Sequence, residues 1–168
     1  MSLNRSFIAL IVVLVYACAP VAASTTFAKG ISDATGPLVA LGIAATYFGS
    51  GEHAKANTAR VADAAIIAVG MAELLKPNLN VDDDGRRLHS FPSGHTAIAF
   101  GTATAMADVF PKQKWLLYAG AALVGWSRVE CDAHTWGDVL GGAALGFGVG
   151  RWSVKSQDGL LLGRVYRF

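Results

Sequence analysis

A histidine and an aspartate stand four residues apart late in the chain, shortly after a Ser-Arg pair: Ser127-Arg128, then His134, then Asp138. A spacing of four places two side chains on one face of a helix, within reach of a hydrogen bond. A carboxylate in that place fixes the tautomer of the imidazole and stabilises the charge that develops when the other ring nitrogen attacks. The pair therefore predicts an oriented histidine nucleophile, with a simple surface contact as the alternative.

A second polar segment, Ser90-Phe91-Pro92-Ser93-Gly94-His95, leads directly into an apolar segment that we predict to be helical. Pro92 suits a helix entry, and Ser93 with the Gly94 amide presents O–H and N–H groups at the positive helix end, where a phosphate binds favourably. An N-cap would explain Ser93 without any function. It would not explain His95, which we assign as a general acid.

A third polar segment supplies further positive charge. Lys76-Pro77 ends an apolar segment, and Arg86-Arg87 follow an acidic turn at residues 82–85. A solvated loop would explain this segment if it stood alone. Beside the other two, Lys76 offers a point charge, and Arg86 or Arg87 offers a planar fork that can bind two phosphate oxygens.

Together the three segments supply what phosphoryl transfer requires: cations and amides around the phosphate oxygens, a nucleophile, and a proton donor for the leaving oxygen. In this prediction His134 is the nucleophile, Asp138 orients it, and His95 protonates the leaving group. Lys76 and Arg128 are the principal cations, and they would oppose a divalent ion. We therefore predict neither a metal nor a cofactor.

These residues resemble the type 2 phosphatidic acid phosphatases, which share a helical core with bacterial nonspecific acid phosphatases and vanadium haloperoxidases. That family's second motif, Pro-Ser-Gly-His, is present at residues 92–95, and its third, Ser-Arg, five residues, His, three residues, Asp, at residues 127–138. The resemblance covers about residues 61–150. It implies a phosphohistidine intermediate, hydrolysis without a metal, and lipid or isoprenoid phosphates as common substrates. Vanadium-dependent halide oxidation is an alternative that the shared scaffold permits.

The first motif of that family departs from the pattern. The family has Lys, six residues, then Arg-Pro, whereas the residue seven after Lys76 is Asp83 and no Arg-Pro occurs. Either Arg86 or Arg87 takes the vacant place, or the site lacks one cation. The second case leaves a catalytically weakened envelope protein that retains the fold as a further alternative.

The elements that must position these residues are helices. Small residues at helical spacing permit close approach of helix backbones, and the alternation typical of strands is missing. We predict an all-α bundle of five to six helices, with the three polar segments opening on one side. Each of five Ala- and Gly-rich apolar segments is long enough for a helix: residues 36–48, 61–75, 94–110, 115–126 and 138–150.

Both ends of the chain differ from this pattern. Arg5, an apolar run over residues 7–16 and small residues before Ser24 are typical of an export signal. Asp158-Gly159 between two short alternating stretches indicates a β-hairpin. We therefore divide the chain into a signal peptide or N-terminal anchor (1–23), a helical phosphatase domain (24–151) and a C-terminal tail (152–168).

Composition and charge limit the partners. The net charge is only +2 and the 14 Lys and Arg residues form no basic stripe, which excludes a nucleic-acid binder. The hydrophobic content of 53% is high for a soluble domain. If each helix crossed a membrane, the positive-inside rule would place the site outside. We expect an inner-membrane protein whose site faces the periplasm, with a soluble periplasmic domain as the alternative, acting on a phosphate-containing small molecule or lipid.

Overall fold

The structure is a computed structural model that describes residues 25–77 and 90–156. Within them the chain forms five α-helices, joined in two places by single 3-10 turns at Gly51–His53 and Pro111–Gln113. No strand occurs in this part of the chain, so the predicted all-α bundle is confirmed. The helices are α1 (Thr25–Gly49), α2 (Ala54–Leu75), α3 (Gly94–Val109), α4 (Lys114–Glu130) and α5 (Trp136–Lys155).

Helix α1 begins earlier than the apolar pattern predicts, and it continues through Pro37. Residues before Pro37 are mixed in polarity, yet four of them share one buried face: Ala28, Ile31, Ser32 and Thr35. Their spacing of three and four is that of a helix stripe. Packing of this stripe outweighs the hydrogen bond that proline removes, because tertiary contacts stabilise helices more than local propensity does.

Helix α3 lies at the centre of the bundle and contacts all four other helices. Residues 101–106 are all buried, as expected for a helix whose side chains are small or apolar on every face. Three groups of buried side chains surround it, and their larger members outside α3 are Ile31 and Val124 in the first group, Val61 in the second and Val149 in the third. The position of α3 matters because its first turn carries the Pro-Ser-Gly-His motif.

The closest helix contact joins α5 to α3 through three glycines, Gly142, Gly146 and Gly150. They are four residues apart and therefore lie on one face of α5. A Cβ at Gly142 would stand 2.5 Å from the Ser93 carbonyl oxygen, and one at Gly150 would stand 2.8 Å from the Gly101 oxygen. Only hydrogen fits in these places, so the glycines let the two backbones touch.

The last helix extends beyond the predicted boundary between the helical domain and the C-terminal tail. Helix α5 continues to Lys155, so residues 152–155 of the predicted tail are helical. The rest of the predicted tail and the predicted signal segment lie outside the described residues. Among residues 25–77 and 90–156, no helix combines the length and the apolar character that a membrane span needs.

Candidate active site

Lys76 stands where the sequence predicts it, directly after the last residue of α2. It is the C-cap residue, and its backbone N–H donates to the Ala72 carbonyl. Its ammonium donates to Oε1 of Glu73 at 2.6 Å, and its side chain is 21% exposed. Sequence reasoning missed Glu73, although a spacing of three on a helix is a recognisable signal for such an ion pair.

The Pro-Ser-Gly-His segment forms the N-terminus of α3, and Ser93 is its N-cap, which is the alternative that the sequence left open beside a phosphate contact. The Ser93 oxygen accepts from the Thr96 hydroxyl at 3.0 Å and from the Thr96 N–H at 3.4 Å. Its side chain is fully buried. The helix begins at Gly94, the first residue of the predicted segment. The first-turn N–H groups, including those of Gly94 and His95, gather at this end of the helix.

Two contacts bring this segment against its neighbours. The Ser93 N–H donates to the carbonyl of Asp138 in α5 at 3.0 Å. On the other side, a Cβ at Gly94 would stand 2.8 Å from the Glu73 carboxylate. The N-terminus of α3 therefore lies between the end of α2, where Lys76 stands, and the start of α5.

A tight turn after α4 brings His134 back beside Arg128. Asp132 has a φ of 53°, a left-handed conformation that Asp tolerates better than most residues and that commonly ends helices. The Arg128 carbonyl then accepts the N–H groups of Ala133 at 3.0 Å and His134 at 3.2 Å. The local fold thus sets the distance between the cation and the imidazole.

The relation of His134 to Asp138 differs from the predicted one. Helix α5 begins at Trp136, so His134 precedes the helix instead of sharing a helical face with Asp138. A capping box accounts for the geometry: Asp138 Oδ2 accepts from the Thr135 N–H at 2.9 Å, and the Thr135 hydroxyl accepts from the Asp138 N–H at 3.3 Å. Sequence reasoning missed this local Thr-x-x-Asp signal.

The capping box nevertheless holds the carboxylate near the imidazole. Oδ2 of Asp138 lies 3.5 Å from Nδ1 of His134, and the two residues are only 3% and 8% exposed. That distance is an ion-pair separation and too long for a good hydrogen bond. Nδ1 makes no hydrogen bond within the described part of the chain. A small rotation of the imidazole would complete the bond.

Both histidines have a lowered pKa, and the two cations contribute to both shifts. Burial lowers the pKa of His134 most, followed by the positive charge of Arg128, while Asp138 opposes the shift. The side chain of His95 is exposed, yet burial of part of its ring lowers its pKa most, followed by the positive charges of Arg128 and Lys76. The carboxylates of Glu73 and Asp33 oppose this shift. Both imidazoles therefore lie within electrostatic range of the same two cations.

Arg128 is half-buried in the last turn of α4, and its guanidinium reaches a helix outside the predicted motifs. Its Nη1 donates to the hydroxyl of Ser32 in α1. Its Nε is buried and has no hydrogen-bond partner among residues 25–77 and 90–156. Ser32 was not predicted, because 96 residues separate it from Arg128 and no local pattern connects them.

The remaining predicted site residues, Arg86 and Arg87, lie outside the described residues. Whether either of them takes the place that the first motif leaves vacant stays a prediction. The described residues contain no group of three or more His, Cys, Asp or Glu side chains placed to hold a metal ion.

The fold and the site together define a class of protein: a helical bundle in which two histidines, a buried carboxylate and two cations meet at the N-terminus of the central helix. Such a helix end is suited to an anion. The sequence matches the PAP2 superfamily over residues 8–160, so the chain belongs to that superfamily. The predicted family is thereby confirmed.

Two curated relatives carry more specific names. The chain is 42% identical over 79 residues to a lipid A 1-phosphatase of Porphyromonas gingivalis, a match that covers 45% of this chain and 18% of that protein. It is 34% identical over 59 residues to an acid phosphatase of Zymomonas mobilis, covering 35% of this chain and 22% of that protein. The matches thus span less than a quarter of either relative. No solved structure matches the chain significantly.

Proposed function

We propose that the protein is a phosphatase that hydrolyses phosphomonoesters or pyrophosphates through a phosphohistidine intermediate. The observation that carries this proposal is the buried His134 imidazole, which lies 3.5 Å from the Asp138 carboxylate and beside Arg128. Membership of the PAP2 superfamily supports the same reaction class. Both curated relatives described above are named as phosphatases.

The first step is attack on phosphorus by Nε2 of His134. Nδ1 is the nitrogen that faces Asp138, so a proton on Nδ1 leaves Nε2 with its lone pair. As the N–P bond forms and the ester P–O bond breaks, the ring becomes positively charged and the carboxylate stabilises it. His95 in its protonated form donates a proton to the leaving alkoxide.

The second step reverses these roles. His95, now neutral, takes a proton from water, and the resulting hydroxide attacks the phosphohistidine. The P–N bond breaks, phosphate departs and His134 is again neutral. The balance needs only substrate and water. Lys76, Arg128 and the amides of the first turn of α3, with Ser93 as a further predicted contact, would hold the phosphate oxygens in both steps.

Exposed apolar side chains in the helices that carry Lys76 and Asp138 favour a substrate with an apolar part. Such a substrate would lie at a membrane of the cell envelope. Three large apolar side chains at the end of α2 and the start of α5 are exposed: Leu74 at 74%, Trp136 at 56% and Leu140 at 66%. Each lies within a few residues of Lys76, His134 or Asp138. Clusters of exposed apolar side chains are typical of surfaces that contact a partner or a membrane. We therefore place lipid or isoprenoid phosphates first among substrates, with the site facing the periplasm.

The test is hydrolysis of para-nitrophenyl phosphate and of a lipid phosphate in detergent by the purified full chain. His134→Ala should lower kcat by at least about a thousandfold, because it removes the covalent catalyst. The control is His53→Ala, since His53 is exposed in the 3-10 turn at the opposite end of the bundle. A loss of less than about tenfold for His134→Ala would contradict the nucleophile assignment.

Inactivity of the wild-type chain on both substrates would contradict the proposal itself. It would favour the weakened envelope protein, whose motivation is Asp83 at the place of the first-motif arginine. Trapping the intermediate gives an independent test, because a phosphohistidine adduct should appear on His134 after an alkaline quench. The adduct should be missing in His134→Ala and present in His53→Ala.

A further inference from the structure

Ser32 is a polar residue on the buried face of α1, and it is only 4% exposed. Its hydroxyl accepts a hydrogen bond from Nη1 of Arg128 in α4. Its neighbour on the same face, Thr35, is 2% exposed and instead donates to the Ile31 carbonyl of its own helix. Of these two buried hydroxyls, only that of Ser32 joins α1 to the candidate active site.

The contact restricts a side chain that would otherwise be mobile. Arginine loses considerable rotamer freedom when its guanidinium is held in one place. A bond from Nη1 to a buried hydroxyl removes much of that freedom before any ligand binds, and such preorganisation favours binding. Because Arg128 is the second cause of the lowered pKa of both imidazoles, its position also affects their charge.

The rest of the guanidinium still requires a partner. Nε of Arg128 is buried and makes no hydrogen bond to the described residues. A buried donor without an acceptor is unfavourable, and native proteins rarely leave one. An anion with several oxygens could satisfy Nε and the adjacent amino group together, as guanidinium forks do with phosphate.

We propose that Ser32 is a positioning residue for phosphate recognition: its hydroxyl holds one amino group of Arg128 so that the remaining donors of the guanidinium face the phosphate. The role rests on the proposed function, and it deepens that function by assigning α1 a part in the site. Ser32 lies outside residues 61–150, the part of the chain that carries the family motifs. It acts through Arg128 and does not itself touch the substrate.

The experiment compares Ser32→Ala, Ser32→Thr and Thr35→Ala in the full chain. Thr35→Ala is the matched control, since it removes a buried hydroxyl from the same face without contact to Arg128. Binding of inorganic orthophosphate is measured by calorimetry, and kcat, KM and the pH profile with para-nitrophenyl phosphate. Thermal unfolding of each variant reports any general loss of structure.

Ser32→Ala should weaken orthophosphate binding by about tenfold and raise KM similarly, the usual effect of losing one hydrogen bond to a charged group. The acid limb of kcat/KM should move toward higher pH, because a loosened Arg128 lowers the imidazole pKa less. Ser32→Thr should restore much of both. Thr35→Ala should change neither the binding nor the pH profile, even if it lowers the melting temperature.

The results separate this inference from the proposed function. Orthophosphate binding that is equal in wild type and Ser32→Ala overturns the role of Ser32, whatever the activity. A wild-type chain that binds orthophosphate but hydrolyses neither substrate overturns the proposed function and leaves the positioning role standing if Ser32→Ala still weakens binding. A wild-type chain that does not bind orthophosphate overturns both.

Discussion

The contact between α5 and α3 at Gly142 links the stability of the bundle to the geometry of the site. A Cβ at Gly142 would stand 2.5 Å from the Ser93 carbonyl oxygen and 3.1 Å from the Thr96 Cβ. That is about 0.8 Å short of the ~3.3 Å at which carbon meets a carbonyl oxygen. The obstacle is largely backbone, so Gly142→Ala should push the start of α5 away from the Pro-Ser-Gly-His segment.

Two opposing effects set the magnitude. Overpacking of a tight contact destabilises by about 1–3 kcal/mol, whereas replacing glycine by alanine inside a helix stabilises by about 1 kcal/mol. Gly142→Ala should therefore lose about 0–2 kcal/mol, or up to ~8 °C in Tm. The site should suffer more, because a misplacement of about 1 Å lowers kcat by about a hundredfold.

The matched control is Gly148→Ala on the same helix, where a Cβ would meet nothing within 4 Å. It should gain about 0.5–1 kcal/mol and leave kcat unchanged. The assays are thermal unfolding followed by circular dichroism, and hydrolysis of para-nitrophenyl phosphate. If Gly142→Ala were as stable and as active as Gly148→Ala, the argument that this glycine contact aligns the two motifs would be refuted.

Three further predictions concern the pH dependence of the two histidines, the charge of Glu73 and the exposed side chain of Trp136. In the proposed mechanism activity falls as His134 is protonated and as His95 loses its proton. The lowered pKa values of both residues therefore predict a kcat/KM maximum below pH ~6.5, and a maximum above neutrality would contradict this. Glu73→Gln should lower the inhibition constant of orthophosphate about two- to fivefold, because the Glu73 carboxylate pairs with Lys76. It should also shift the alkaline limb of kcat/KM to lower pH, because Glu73 raises the pKa of His95. An unchanged inhibition constant would count against this prediction. Trp136→Ala should reduce turnover of a lipid phosphate but not of para-nitrophenyl phosphate. The control is Trp115→Ala, because Trp115 is also exposed but lies at the opposite end of the bundle. An equal loss in both variants would contradict lipid binding by the exposed side chains Leu74, Trp136 and Leu140.

The parts of the fold that follow from local pattern could be predicted from the sequence. Each of the five predicted apolar segments is part of a helix, because Ala-rich segments favour helices and small residues let the helices pack closely. Ser93 is the N-cap of α3 as its type and place before Gly94 indicate. Lys76 follows the last residue of α2, as the proline after it suggests.

The features that depend on tertiary contact could not be predicted. The apolar pattern predicted the first helix only from residue 36, yet the buried stripe before Pro37 extends α1 to Thr25. The bond between Ser32 and Arg128 joins residues 96 positions apart, and a serine inside a helix gives no sign of its partner. The Thr135–Asp138 capping box could have been predicted, because its Thr-x-x-Asp signal is local. It was missed because Asp138 was interpreted only as the partner of His134.

The capping box also explains how one carboxylate serves both the fold and the site. Oδ2 of Asp138 accepts from the Thr135 N–H and faces Nδ1 of His134, so the start of α5 and the imidazole are held by the same atom. An acidic residue in the first turn also suits the positive end of the α5 dipole. Asp138→Asn keeps an oxygen that can accept from Thr135 but loses the charge that, in the proposed mechanism, stabilises the imidazolium. It should therefore change the stability by less than about 1 kcal/mol and lower kcat by about a hundredfold or more, as measured by unfolding and hydrolysis on one preparation. A parallel fall in both would mean that Asp138 acts through the helix alone.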